Sequence, residues 1–204
     1  MNGIINVLKP PGMTSHDVIY FIRKTLNMKK VGHTGTLDPE AAGVLPVCVG
    51  KATKAVQYIT EKRKRYITNI KFGLITETYD IYGAILEQKQ IDVLDMNKLK
   101  NILPMFIGDI KQKPPIYSAI KIKGKKLYEY ARKNETVEIS ERQVQIFDIK
   151  IVDIVGNDEI ILDILCSKGT YIRSLCHDIG LQMGVGACMS QLIRTESKPF
   201  TIMD

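Results

Sequence analysis

The stretch that decides the fold class is VQIFDIKIVDIV (Val144–Val155), followed by GND (Gly156–Asp158) and EIILDILC (Glu159–Cys166). Both outer segments are rich in Ile and Val, whose branched side chains suit a pleated surface. Gly-Asn-Asp between them tolerates the left-handed backbone that a tight hairpin needs. The segment reads as an antiparallel hairpin. The apolar phase switches at Ile146-Phe147, which predicts a bulge there.

Working outward, the chain alternates strands and helices irregularly. GIINVL (Gly3–Leu8) reads as a short buried strand ended by Lys9-Pro10-Pro11-Gly12. Ser15 is an N-cap candidate for a helix from His16 to Leu26, with Val18, Ile22 and Leu26 facing the core. Residues 28–43 carry no periodicity and read as a long loop, the kind that is usually functional. Val44–Gly50 is β-like and Lys51–Thr60 helical. Arg65–Ile75 alternates as a strand that could pair with one near Ile81–Glu87. A helix over Asp95–Leu103, a strand over Tyr117–Ile122 and a helix over Lys125–Arg132 precede the hairpin. A helix from Thr170 to Met183 and a last strand over Ser190–Arg194 follow it. This order predicts an α+β fold with a mixed, mainly antiparallel sheet.

The composition bounds the class. The 204 residues are 45% hydrophobic and 25% charged, as in an ordinary globular domain. No apolar run is long enough to span a membrane, and MNGIINVLKPPG lacks a basic region followed by an apolar one, so a signal peptide is not expected. A cytoplasmic location is the expectation. Cys48, Cys166, Cys176 and Cys188 show no metal spacing, nor do His16, His33 and His177, so no metal site is expected. The net charge is +7. Lys51–Lys71 holds seven basic residues and one acid; Lys111–Lys133 holds eight and one. Two basic segments in an otherwise balanced chain point to a phosphate-binding face.

The long loop contains Gly32-His33-Thr34-Gly35-Thr36-Leu37-Asp38-Pro39, where Asp38 is the only carboxylate between Asp17 and Glu40. A rigid Gly/Pro loop before an apolar strand is a way to present a reactive side chain. Leu-Asp-Pro also reads as plain turn chemistry, with the carboxylate bonding its own backbone.

The whole pattern goes further. Lys9-Pro10-Pro11-Gly12-Met13-Thr14-Ser15, the loop around Asp38, Gly43-Val44-Leu45-Pro46 and Gly50-Lys51-Ala52-Thr53-Lys54 resemble the TruB family of tRNA pseudouridine synthases. Pro114–Lys121 (PPIYSAIK) and Lys168–Leu175 (KGTYIRSL) continue the resemblance in order. It implies the pseudouridine-synthase core, with helices on the sheet's faces and a central active-site cleft. It implies isomerisation of uridine 55 in the T loop of tRNA, with no cofactor and no metal. Asp38 falls on the catalytic aspartate, as nucleophile or base. Tyr66 matches the tyrosine that stacks on the flipped uracil, though a strand tyrosine also suits a core. Arg173 matches the arginine that pairs with the aspartate. Tyr171 and Leu192 would line the base pocket, and His33 would stack in the RNA in place of the extruded base. Lys9, Lys54, Lys64, Arg65 and Lys121 are the expected RNA-contact cations, facing phosphates of the T arm. Tyr117, Tyr128 and Tyr130 interleave with the second basic segment and are compatible with base stacking, but Tyr128 and Tyr130 fit a packed helix equally well.

Family members of the bacterial type usually continue into a small PUA-type RNA-binding domain. This sequence ends ten residues beyond Arg194. The expectation is one catalytic domain over residues 1–204 without that module, a monomer, with weaker tRNA affinity than a two-domain relative. Two alternatives stay open at this point: a tRNA-folding chaperone that needs no catalysis, and modification of another RNA.

Overall fold

The computed structural model describes residues 1–133 and 135–204. In chain order the elements are β1 (Gly3–Lys9), α1 (Ser15–Thr25), β2 (Val31–His33), β3 (Ala42–Val49), a 3-10 turn (Gly50–Ala55) running into α2 (Val56–Thr60), β4 (Lys64–Phe72), β5 (Leu74–Thr76), β6 (Ile85–Gln88), α3 (Met96–Ile102), β7 (Gly108–Gln112), β8 (Lys121–Ile122), β9 (Lys125–Lys126), α4 (Leu127–Ala131), β10 (Arg142–Val155), β11 (Glu159–Cys166), α5 (Ile172–Met183), β12 (Ala187–Ser197) and β13 (Phe200–Thr201). The fold is α+β. Its main sheet runs β1-β3-β12-β4-β11-β10-β7, with β2 added to β3 and β13 to β12. All pairings in it are antiparallel except the short β3–β12 contact, Ile193↔Ala42 and Arg194↔Gly43.

The β10–β11 hairpin forms as read, from Val155↔Glu159 to Ile146↔Cys166. Its register slips between Ile146 and Asp148, at the bulge position, and again between Ile151 and Asp153. Strand β4 is buried at every second residue, Lys64, Tyr66, Thr68, Ile70 and Phe72, so one face packs on the core. That core joins α1 (Val18, Ile19, Ile22), α5 (Leu175, Cys176, Ile179) and the sheet (Ile70, Ile146, Leu162, Ile164) in one cluster. The four cysteines are free and buried.

Several boundaries differ from the sequence reading. Thr14, not Ser15, caps α1: its hydroxyl accepts from Asp17 N, and the Asp17 carboxylate accepts from Thr14 N. The loop after α1 contains β2, which pairs with β3. The strand expected over Arg65–Ile75 breaks at Gly73, whose φ of +78° turns the chain out of the sheet. The residues beyond it pair with β6 in a separate two-stranded ribbon, while β4 pairs with β11 and β12. Of Tyr117–Ile122 only Lys121–Ile122 is strand, and the helix over Lys125–Arg132 shortens to α4. The last long strand is eleven residues rather than five, because Ala187–Ser197 lies between β3 and β4 and is bonded on both sides.

Candidate active site

The segment Gly35–Ala41 is held in place from below. Lys9, fully buried, donates through Nζ to Pro10 O, Met13 O and Pro39 O at 2.5–2.9 Å. Ser15 Oγ accepts from Leu37 N at 2.9 Å and donates to Leu37 O at 3.2 Å. Gly12 N donates to Pro39 O at 3.0 Å. The Lys9–Ser15 motif is thus a brace for the residues on either side of Asp38. This removes Lys9 from the expected RNA contacts: its charge is enclosed and its three protons are used. Burial pushes its pKa below the usual lysine range.

Asp38 meets Arg173 from the first turn of α5. Nε and Nη2 of Arg173 reach the two carboxylate oxygens at 2.9 and 3.1 Å, a bidentate pair. The guanidinium is 5% exposed and fully engaged. Nη2 also donates to Tyr117 O at 3.0 Å, Nη1 donates to Thr78 O at 3.1 Å, and Asp80 Oδ2 lies 3.6 Å from Nη1. Asp80 is itself fixed by the hydroxyl of Thr78 at 2.6 Å and by Tyr82 N at 3.1 Å. The entry to α5 is fixed by Gln112, which exchanges two hydrogen bonds with the backbone of Tyr171. Arg173 therefore cannot follow its partner if Asp38 moves. It sets the carboxylate's direction.

The Asp38–Arg173 pair divides a cleft into two chambers. One, about 250 Å³, is lined by Gly35, Lys64, Tyr66, Tyr171, Leu192 and Arg194 as well as the pair. The other, about 320 Å³, adds Glu40, Asp80, Tyr82, Tyr117 and Met189. Leu192 borders both. Tyr66 is buried, which raises its hydroxyl pKa; the Arg194 guanidinium opposes that shift. The β12–β4 register sets Arg194 directly across from Tyr66. Arg194, 1% exposed, donates to Val44 O and Gly35 O at 2.8 and 3.1 Å. Gly43 presses so closely on Arg194 that a Cβ there would stand 2.6 Å from its backbone N.

The structure thus brings together Asp38, Tyr66, Arg173, Tyr171 and Leu192. His33 stands outside both chambers, its ring edge-on to His16 at 5.8 Å. Burial and the neighbouring His16 push its pKa down to about 4, so it is a neutral ring at ordinary pH. Lys54 and Lys121 are exposed and outside the cleft. Lys64 is not a surface cation as expected: strand alternation turns it to the core face beside Tyr66, 6% exposed. Alternation turns Arg65 to the opposite face, where Asp163 holds it at 2.6 and 2.7 Å. Tyr130 belongs to the packing of α4, its hydroxyl bonded to Ile122 O. Asp80, and Arg194 as part of the site, were missed. A core-facing Lys in an alternating strand was a readable signal for Lys64, but Asp80 reaches Arg173 only through tertiary folding.

Comparison with known proteins decides the family. A model described as TruB family pseudouridylate synthase, N-terminal domain, matches residues 23–172, and one for the tRNA pseudouridylate synthase B C-terminal domain matches residues 173–204. The chain belongs to the TruB family. It is 54% identical over 202 residues to tRNA pseudouridine synthase B of Alkaliphilus oremlandii, covering 99% of this chain and 67% of that relative. It is 53% identical to the same-named protein of Caldanaerobacter subterraneus, covering 99% and 71%. Among solved structures, a chain of a Cbf5–Nop10–Gar1 complex aligns with a TM-score of 0.75 at 36% identity, over 98% of this chain and 50% of that one. A chain of an H/ACA RNP bound to a substrate RNA containing 2′-deoxyuridine aligns at 0.72 and 34%, over 98% and 48%. This chain therefore spans about two thirds of those curated relatives and half of those structural neighbours. The two TruB models meet between Ile172 and Arg173, yet one sheet runs through both: β12, C-terminal to the boundary, is bonded to β3 and β4.

Proposed function

We propose that this chain isomerises uridine to pseudouridine at position 55 in the T loop of tRNA, and that residues 1–204 act as one catalytic unit on the T arm, as a monomer. The observation that carries the reading is the Asp38–Arg173 pair at the mouth of a chamber containing Tyr66. The reaction breaks N1–C1′, forms C5–C1′, and moves one proton from C5 to N1. Atoms and electrons balance within the substrate, so no co-reactant is required. The uridine enters flipped out of its stack. Tyr66 and Leu192 then hold the base on its faces, with the Tyr66 hydroxyl at the chamber wall for proton traffic. Asp38 acts on the sugar or base as an ionised carboxylate. The bidentate grip of Arg173 keeps it aimed, a preorganisation that requires no rearrangement during reaction.

The test is tritium release from a transcribed tRNA labelled at uracil C5. The expected result is one equivalent per tRNA from the wild type and none from Asp38→Asn, with RNA binding within a few-fold. Turnover by Asp38→Asn would sink the assignment of Asp38. Absent release by the wild type with binding intact would turn the reading toward a tRNA-binding role without chemistry.

A further inference from the structure

Two buried cations face the chamber of Tyr66 without a counter-charge. Lys64 uses two of its three ammonium protons on Thr60 O and Lys62 O, both at 3.0 Å, leaving one. Arg194 spends Nε and Nη2 on Val44 O and Gly35 O. Among the described residues, neither is within 4.0 Å of a carboxylate oxygen, although the other buried arginine of the site, Arg173, has two such partners. The two side chains converge. Lys64 Cε and Arg194 Nη1 each lie 3.5 Å from the point where a Cβ on Gly35 would stand, and both line the chamber with Tyr66 and Asp38. Enclosing one unpaired charge is expensive, and enclosing two adjacent like charges more so. A pocket built this way is electrostatically incomplete until something negative enters it.

The reacting nucleotide brings that charge. When N1–C1′ breaks, the bonding pair stays on the ring. The free base then carries a negative charge spread over N1, O2 and O4 until C5 bonds to C1′. We propose that Lys64 and Arg194 form a cationic wall that stabilises the uracil ring as an anion while it is detached from the ribose. This deepens the reading above and rests on it. The wall acts on charge that exists only during the reaction, so it raises the rate rather than the affinity.

Lys64 also gives the wall a pH signature. Burial, aided by Arg194 and Lys168, lowers its pKa to about 8, with Cys166 and Glu61 pulling the other way. The other titratable groups lining its chamber are Asp38, Tyr66, Lys168 and Tyr171, with the permanently charged Arg173 and Arg194. Lysine is cationic below its pKa, so the wall weakens as pH rises through 8. An arginine at position 64 stays charged throughout.

The experiment is single-turnover pseudouridine formation with enzyme saturating and in excess over tRNA, with Lys64→Met and Lys64→Arg beside the wild type and Asp38→Asn. The expected result is a loss of about 100-fold in Lys64→Met, with tRNA Kd within about three-fold and an unchanged salt dependence. Lys64→Arg recovers most of the rate and keeps it at pH 9, where the wild type falls. Equal losses in Lys64→Met and Lys64→Arg would mean that packing, not charge, matters, and would overturn the wall. So would a weakened Kd with a flatter salt dependence and an unchanged rate, which would place Lys64 on a backbone phosphate. The pH comparison needs only the charged variant, so it decides even if Lys64→Met does not fold: identical alkaline limbs overturn the proposal. An inactive wild type, or an active Asp38→Asn, would instead overturn the function on which it rests.

Discussion

At the scale of single residues, charge in this molecule takes its meaning from burial. Lys9, Lys64 and Arg65 were all expected to meet RNA phosphates, but none offers a free cation to solvent. The case with the sharpest consequence is Lys9. Its ammonium satisfies three backbone carbonyls that surround the turn beneath Asp38. Replacing it by Met keeps the stem but strands Pro10 O and Met13 O, while Pro39 O keeps its bond from Gly12 N; each acceptor left without a partner costs about 1–3 kcal/mol. Water can reach some of them, so we expect Lys9→Met to lower unfolding free energy by about 3 kcal/mol, measured by urea titration. Because Lys9 faces no solvent, the salt dependence of tRNA binding by the folded variant should match the wild type. A flatter dependence would return Lys9 to the RNA face.

At the scale of elements, the excursion from Gly73 to Lys89 serves Arg173. Its turn lies against β12, with Ile81 N donating to Met189 O and Met189 N to Tyr79 O, both at 3.0 Å. This docking delivers Thr78 O and Asp80 to the guanidinium from the side opposite Asp38. Tyr79 stacks on His177 of α5 at 4.0 Å, closing the same contact. Gly83 is the tight point of the turn: a Cβ there would collide with the Thr78 hydroxyl and come within 2.8 Å of its backbone N. Gly83→Ala must displace Thr78, and with it the outer grip on Arg173. We expect the saturating rate to fall about 10- to 100-fold, with tRNA Kd little changed, since the turn holds Arg173 rather than RNA. A full rate would show that Asp38 and Tyr117 suffice to position the arginine. This element also marks where sequence reading ran out. The β10–β11 hairpin, the helix beginning at Asp95 and the Asp38–Arg173 pairing were legible, because period, turn chemistry and family motifs each point to one answer. The 74–89 ribbon was legible only in part: the pairing of Ile75 with Glu87 agrees with the expected strand pair, but its separation from the sheet was not foreseen. Ile75 and Ile85–Leu86 look like continuations of a central sheet, and only the left-handed Gly73 sends them elsewhere. Similarly, Arg173 and Arg194 stand 21 positions apart in sequence, and nothing local says that they line one chamber.

At the scale of the whole molecule, the sheet and the charge pattern answer different questions. The sheet explains why the C-terminal segment is indispensable. Arg173, Leu192 and Arg194 all come from α5 and β12, and β12 fills the gap between β3 and β4. The catalytic half without that segment has a sheet split in two. The charge pattern explains how RNA is held, once buried and paired cations are subtracted. In the first basic segment Lys64 is enclosed, Arg65 pairs with Asp163 and Lys71 with Asp158. Lys51, Lys54, Lys62 and Arg63 remain exposed, with no ion pair among the described residues, though Arg63 lies over the Phe147 ring. Each phosphate contact displaces condensed counterions and adds roughly 0.7–0.9 to the log–log slope of affinity against salt. The double change Lys54→Ala with Lys62→Ala should therefore flatten that slope by about 1.5 between 50 and 200 mM salt, leaving the rate at saturation unchanged. Arg65→Ala, which removes a cation already neutralised on the far face of β4, should leave the slope where it was. If Arg65→Ala flattens it as much as the lysine pair does, RNA must wrap onto the sheet's other face, and the cleft is only part of the surface it uses.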